Sequence, residues 1–474
     1  MREIPLLEAR RPGSKALVGM VRGLLFLSIL AAASALNPII VNQGVADPHV
    51  RVYDGRYYLY ATSDFSNASR GFKNVRWWVW NSSDLVEWSL STILYPNETA
   101  ATPDEDNLCW ATDGATRNGL YYFYISMGPT EIGVMRSTTP VGPWENALGK
   151  PLVSKDAPLD PPTESRDPGI LADSDGKFYL VWGTFNYFIA ELADDMMSFV
   201  GSPQYVVVNN ATSQNGVGIL DDKPYLHKRG ALYYLSFGCF YATSTSVWGP
   251  FDYVGTWVDL SLIAPDFRTN VTNPNATEWW HNEDYNDRHG SFFSAGGQDF
   301  WSSNDRSHST DRLNTNAYRD PILTYVHYFS NASIAPVVIN KQGVGEYDAT
   351  AVEFENYMRA EGAARKLHLS EHNDIFVVEV EDASVVLVYP RVHNCDLENL
   401  TLRASNAGTT PVTMHARAGA ATGDIVASCT VAPSHGRFIS TTCVSNANIN
   451  GQSRLIDAVF TFEGGGLWLD QFAC

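Results

Sequence analysis

The chain has 474 residues, 45% of them hydrophobic and 12% aromatic, enough to fill buried cores in two or three domains, and this composition excludes a disordered protein. The formal net charge is −19, and beyond residue 22 no cluster of Lys and Arg offsets it, so nucleic acid and anionic membranes are excluded as general partners. Neutral ligands suit such a chain better than polyanions.

At the N-terminus Arg2, Arg10, Arg11, Lys15 and Arg22 lead into an apolar run from Gly23 to Ala33 and a small-residue site, Ala33-Ser34-Ala35. This is the grammar of a secretory signal over residues 1–35; the run falls short of the roughly 20 residues of a spanning helix, which makes a retained anchor the weaker reading. Cleavage after Ala35 would remove five basic and two acidic residues and leave a charge of −22. A secreted, extracellular monomer without a membrane partner is expected. Sequons at Asn67, Asn81, Asn97, Asn210, Asn270, Asn275, Asn331 and Asn399 point to glycosylation on the same route.

Residues 47–62, DPHVRVYDGRYYLYAT, set a pattern of apolar alternation, a Gly turn and an aromatic strand. It recurs as ATDGATRNGLYYFYIS (111–126), DPGILADSDGKFYLVWG (167–183), DDKPYLHKRGALYYLSFG (221–238) and HGSFFSAGGQDFWSSND (289–305). The second aromatics, Tyr58, Tyr122, Tyr179, Tyr234 and Trp301, are 64, 57, 55 and 67 residues apart, the mark of an array. Each copy has hairpin grammar, further strands such as RWWVWNS (76–82) follow, and extended helical periodicity is almost absent. Units of about sixty residues with roughly four strands predict an all-β chain whose residues 37–345 form a five-bladed β-propeller.

The inner strand of each propeller blade starts at one face of the central channel, so the residues leading the copies should ring one pocket: Asp47, Asp113, Asp167, Asp221 or Asp222, and His289. A lone Asp-Pro is most often a turn initiator, and only its recurrence at one phase of a repeat points to function. Facing carboxyl groups suit glycoside hydrolysis, one protonating the leaving oxygen and one activating water, while a third holds the acid protonated by like-charge repulsion. Trp77, Trp78, Trp110, Tyr187, Tyr241, Trp279 and Trp280 are candidate rings for stacking on sugar faces, whereas the paired tyrosines at 57–58, 121–122 and 233–234 read as blade core. Cys109 and Cys239 could bridge or stay as buried thiols.

From about Thr350 the composition shifts to alternating strands, IFVVEV, SVVLVYP, NLTLRAS, VTMHAR and RLIDAVFTF, which predicts a jelly-roll-like β-sandwich over 350–474. Four cysteines lie here, as expected of extracellular disulfides; Cys429 and Cys443 are near enough for a local bridge, leaving Cys395 with Cys474, one pairing among three.

Taken together, ADPHV with GRYYLYAT, CWATDGA with NGLYYFY, RDPGIL with DGKFYLVWG, DKPYLHKRGALYYL, GPW/GPF and HGSFF resemble glycoside hydrolase family 43 over roughly residues 38–345. The resemblance implies a five-bladed propeller, inversion of configuration, and release of terminal or side-chain arabinose or xylose from plant-type cell-wall polysaccharide, with some galactose-directed branches. By position, Asp47 resembles the catalytic base and Asp167 the third carboxylate. The acid is usually a Glu in Glu-x-Pro; Asp222-Lys223-Pro224 stands there, so Asp222, Asp221, or a loop residue such as Glu164 or Glu283 carries the proton. Trp110, Arg166 and His289 are the substrate-binding candidates, and no cofactor is expected for catalysis. EFENYMRAEGA and FEGGGLWLDQF resemble a carbohydrate-binding module of family 6, which implies a structural calcium on Glu353, Glu355 and Asp470. SHGRFIS (434–440) stands where such modules carry a ligand-gripping Trp, leaving Trp468 as a candidate contact. The competing readings are a galactan- or galactofuranoside-directed hydrolase, a sugar-binding propeller that has lost its chemistry, and a protein-interaction propeller.

Overall fold

The computed structural model describes residues 37–64, 74–100, 109–213, 215–263, 288–306, 318–329, 331–344, 347–348, 350–369, 375–393, 395, 399–445 and 455–474. The signal segment, Asn67, Asn270, Asn275, Trp279, Trp280 and Glu283 lie outside them. No described helix is long and apolar enough to cross a membrane.

Among the described residues before Tyr347, five sheets of three or more strands follow in chain order, antiparallel except where Val208–Asn209 joins Phe251–Thr256; they are led by the strands Val45–Tyr53, Cys109–Arg117, Gly169–Ala172, Pro224–Arg229 and Phe292–Ala295. The leading strands of the first and second, second and third, third and fourth, and fifth and first sheets are neighbours. Side-chain links tie them: Val50 N–H donates to Ser291 Oγ at 2.8 Å, Ile170 N–H to Asp113 Oδ2 at 2.7 Å, and Tyr225 O–H to the Phe292 carbonyl at 3.0 Å. Residues 37–39 close the ring, with Ile39 N–H donating to the Pro321 carbonyl at 2.9 Å and Asn37 clasping the backbone of Leu323. This is a β-propeller.

The aromatic pairs explain why the sheets stand face to face. Strand side chains alternate between two faces, and here both faces are buried. Tyr58 and Tyr60 enter the core shared with the second sheet, while Leu59 and Ala61 enter another. Phe123 and Ile125 join that first core, and Tyr122 and Tyr124 join the next, with Leu180 and Trp182. Tyr179 and Val181 face Tyr225, Tyr234 and Trp301. A strand apolar on both faces is stable only between two sheets, the condition a propeller supplies at every blade. Cys109 and Cys239 are both buried in this packing.

Beyond Tyr347 two sheets face each other. One runs Tyr347–Asp348, Val386–His393, Leu455–Phe462, Val412–Ala418, Ile425–Val431, Val444–Ser445; the other runs Ala364–Leu369, Ile375–Val380, Leu467–Ala473, Thr401–Asn406, Ile439–Thr442. Phe354, Tyr389, Phe460 and Phe472 fill the space between them, edge to face or tilted, with ring centres 4.8 to 5.8 Å apart. Disulfides join Cys395 to Cys474 and Cys429 to Cys443, the pairing expected from spacing. The same apolar core runs on into the first and last propeller sheets through Trp78, Phe300 and Tyr325, and His327 Nε2 meets the Met358 carbonyl at 2.7 Å. Ser34–Cys474 accordingly form one compact unit.

Candidate active site

Three inner strands open with the same local device. Asp47, Asp167 and Lys223 each precede a proline and each has a left-handed backbone, with φ of 53°, 59° and 47°. Proline disfavours the right-handed helical region for the residue before it, and an L-residue with positive φ is held only where its surroundings over-determine it. At Asp47 the device coincides with a register shift between Ala46 and His49. Such irregularities re-aim side chains at the rim of a sheet.

Asp47 is 4% exposed. Its N–H donates to Asn304 Oδ1 at 2.8 Å, and its carboxylate accepts from Asn304 Nδ2 at 3.2 Å and from Arg319 Nη1 at 2.9 Å. His289 Nε2 stands 3.3 Å from Asp47 Oδ1, so this His borders the carboxylate itself. Gly290 allows the approach: a Cβ there would lie 1.9 Å from the Ser302 carbonyl oxygen. Arg319 also grips Asp64 through Nε and Nη2, both at 2.8 Å. One guanidinium thus serves two buried carboxylates.

Asp167 is 3% exposed, and its N–H donates to Ser126 Oγ at 2.8 Å. Arg166 Nη1 lies 3.0 Å from Asp167 Oδ2 and 3.2 Å from Asp222 Oδ1, joining the two carboxylates. Burial pushes the Asp167 carboxyl up to about 7; the charge of Asp222 adds to this and Arg166 opposes it. Asp222 is the accessible member, its side chain 36% exposed, and it accepts from Thr184 Oγ1 at 3.2 Å. The Arg166 guanidinium lies 4.8 Å from the Trp110 ring centre, and Trp110 is half-buried. The expected residues Asp47, Asp167, Asp222, Arg166, Trp110 and His289 therefore belong to one charge-linked neighbourhood at the strand mouths.

Other expectations are corrected. Asp113 does not lead its strand, which begins at Cys109; it lies deeper, fully buried, between Arg51 Nε at 2.8 Å and His49 Nδ1 at 3.2 Å. These partners hold its carboxyl well below the usual range, and burial with the nearby Lys223 lowers His49 to about 4, a neutral imidazole. Asp221 accepts from Asn215 Nδ2 and lies against Gly238, where a Cβ would come within 2.7 Å of Oδ2, so it shapes the turn while Asp222 meets Arg166. Glu164 is half-exposed and bonded to Arg166 Nε at 2.7 Å. Trp77, Trp78, Tyr187 and Tyr241 are blade core, each at most 3% exposed. Arg319, Asn304 and Lys223 were missed. For Arg319 a signal existed: Arg319-Asp320-Pro321-Ile322-Leu323 echoes the Arg166-Asp167-Pro168 stretch that ends in Ile170-Leu171.

In the sandwich, burial pushes Glu353 up to about 7 and Glu355 up to about 8, with neighbouring carboxylates adding to each shift. Glu355 Oε2 is buried without a hydrogen-bond partner, while Arg403 pairs with Asp470. Among the described residues no three His, Cys, Asp or Glu side chains already stand at metal-binding geometry. Trp468 is half-buried and donates from its indole to Glu379 Oε1 at 3.2 Å.

Comparisons with known proteins identify the family. The family model described as Glycosyl hydrolases family 43 matches residues 35–328. A β-D-galactofuranosidase of Aspergillus niger is 28% identical over 317 residues, covering 63% of this chain and 84% of that protein. An arabinoxylan arabinofuranohydrolase of Bacillus subtilis is 29% identical over 262 residues, covering 46% of this chain and 51% of its own length. Among solved structures, a family 43 arabinoxylan arabinofuranohydrolase from Bacillus subtilis in complex with cellotetraose superposes with a TM-score of 0.53 at 21% identity, covering 92% of this chain and 96% of that one. With the family model matching well over half of its length, the chain belongs to glycosyl hydrolases family 43.

Proposed function

We propose that this chain is a secreted, inverting exo-glycosidase that removes terminal α-L-arabinofuranosyl or β-xylosyl units from plant-type cell-wall polysaccharide. The observation that carries the reading is the pairing of a sequestered carboxylate, Asp47, with an accessible one, Asp222, that shares Arg166 with the proton-retaining Asp167. Asp47, ionised by Arg319, takes a proton from water as that oxygen bonds to the anomeric carbon. Asp222 gives its proton to the glycosidic oxygen on the opposite face as the carbon–oxygen bond breaks, which inverts the centre. Asp167 keeps the Asp222 pair from losing its proton too early, and Arg166 fixes both. Trp110 offers a ring face for the bound sugar.

Arabinofuranosyl and xylosyl substrates are supported by the names of several relatives, the arabinoxylan arabinofuranohydrolase of Bacillus subtilis and a xylosidase/arabinosidase of Bacteroides ovatus. A galactofuranosyl substrate is the second reading, favoured by the Aspergillus niger relative, which aligns over 63% of this chain. Released monosaccharide from aryl arabinofuranosides, xylosides and galactofuranosides tests both. Release of one sugar that disappears in Asp47→Asn supports cleavage; binding without release would mean a propeller that reads sugar without cutting it.

The propeller is read as five blades over 37–345, with the sandwich at 350–474 as a module resembling carbohydrate-binding family 6. Glu353, Glu355 and Asp470 are proposed to hold calcium. Their mutual charge crowding and the unpartnered Glu355 oxygen support it, and a bound cation would supply the charge that Arg403 now gives Asp470. Asn97, Asn210, Asn331 and Asn399 are exposed and open to glycosylation.

A further inference from the structure

Lys223 occupies in the fourth sheet the place that Asp47 and Asp167 occupy in the first and third. All three precede proline, and all three have φ near +50°. The preceding residues correspond as well: Arg166 before Asp167 and Asp222 before Lys223, and these two form an ion pair. By backbone phase, therefore, the fourth sheet contributes two groups to the strand mouths, the half-exposed carboxylate of Asp222 and the side chain of Lys223.

That side chain is 1% exposed, and its Nζ makes no hydrogen bond in the structure. A buried ammonium without a partner is among the costliest placements a chain can carry. A left-handed Lys is an added cost that glycine would avoid. What surrounds the ammonium offsets this. Its charge interacts with Asp47 and His49 of the first inner strand, Asp113 of the second, Asp167 at the mouth of the third and Arg319 before the last. The carboxylates favour its charge; burial and Arg319 oppose it.

The neighbouring cations are already committed. Arg51 pairs with Asp113, Arg166 with Asp167 and Asp222, and Arg319 with Asp47 and Asp64. With Glu164, which also pairs with Arg166, six carboxylates share these three guanidinium groups. Lys223 adds a fourth cation to this set, and it is the one that no carboxylate holds by a hydrogen bond. Without Lys223 protonation would be favoured on the carboxylates its charge acts on, Asp47 first and Asp167 next.

We propose that Lys223 is a positioning residue, a built-in cation among the strand-mouth carboxylates that keeps Asp47 ionised. It touches neither substrate nor the reacting atoms; it acts through the carboxylates. The inference rests on the reading of Asp47 as base.

The test compares wild type, Lys223→Met and Lys223→Gly on an aryl glycoside that wild type cleaves. Methionine keeps the volume without the charge, and glycine suits the left-handed backbone and leaves a cavity. The expected result is that the acidic limb of the kcat/KM profile moves up by about one pH unit in both variants. Methylammonium at tens of millimolar should return the limb toward its wild-type place and raise the melting temperature in Lys223→Gly alone. Folded variants with the wild-type pH profile and no methylammonium response would overturn the proposal and make Lys223 a filler. Should Lys223→Met fail to fold, the glycine variant with methylammonium decides alone. Should wild type cleave no glycoside, the hydrolase reading fails separately, and the methylammonium-dependent rise in melting temperature still tests the cation site.

Discussion

Arg319 and Asp47 are 272 residues apart in the chain, and Nη1 of one donates to Oδ1 of the other at 2.9 Å. Both side chains are 5% exposed, so the pair is held in a low-dielectric setting where a lost partner is not replaced by water. Arg319→Met would leave Asp47 and Asp64 buried without their guanidinium. The expected cost is about 3–5 kcal/mol of stability, read by denaturant unfolding. At temperatures where the variant stays folded, kcat should fall about 100-fold with KM little changed, because misplacing a catalytic group acts on turnover. A variant within experimental error of wild type in both would remove Arg319 from the account.

Asp222 and Asp221 should separate cleanly. Asp222→Asn is expected to lose activity on natural oligosaccharides by about 100-fold or more, while an aryl glycoside with a good leaving group loses far less, the signature of a missing general acid. Asp221→Asn should act on the melting temperature instead, since Asp221 holds Asn215 and the Gly238 turn. The reverse pattern would move the acid to Asp221.

The pH dependence follows from Asp167, whose carboxyl burial pushes up to about 7. The acid must be protonated to act, so the basic limb of kcat/KM should fall near pH 7, reporting the Asp167 and Asp222 pair. Asp167→Asn removes the like charge beside Asp222 and should move that limb to lower pH. Stability has the matching sign. A carboxyl whose folded value lies above its unfolded value stabilises below about pH 4 and loses that contribution as the pH rises toward 7. Asp167→Asn should therefore weaken the fall in melting temperature between pH 5 and pH 8, and an unchanged slope would contradict the assignment.

How much of this was legible in the chain depends on distance in sequence. The aromatic repeat was legible because period-2 burial on both faces leaves its trace within a few residues, as at Tyr58 to Ala61. Asp47 and Asp167 were legible because Asp-Pro recurs at one phase of the repeat. Asp113 shared that phase only in the aligned letters; its strand begins four residues earlier, which sinks it into the channel beside Arg51 and His49. The tryptophans misled because a large ring serves equally as sugar platform and blade core, and Trp77 and Trp78 have gone to the core. Arg319 left a local trace in its Arg-Asp-Pro echo, but its partners, more than 250 residues away, were illegible without the fold.

Calcium is tested in the sandwich at pH 8, where Glu353 and Glu355, pushed up to about 7 and about 8 by burial, are most costly to ionise. Millimolar calcium should raise the melting temperature and EDTA should lower it, because a ligand of the folded state alone stabilises by mass action. Glu355→Gln should abolish the response. No response in the parent protein would leave Arg403 and Lys366 as the counter-charges for Asp470 and Glu355.

The most direct measurement follows the released sugar by proton NMR in the first minutes of hydrolysis, for the parent protein and for Asp47→Asn, with matched circular dichroism. The account predicts one monosaccharide released by the parent protein with inverted anomeric configuration, and a rate at least 1,000-fold lower in a folded Asp47→Asn. Release at the parental rate by Asp47→Asn, or a product of retained configuration, would contradict it.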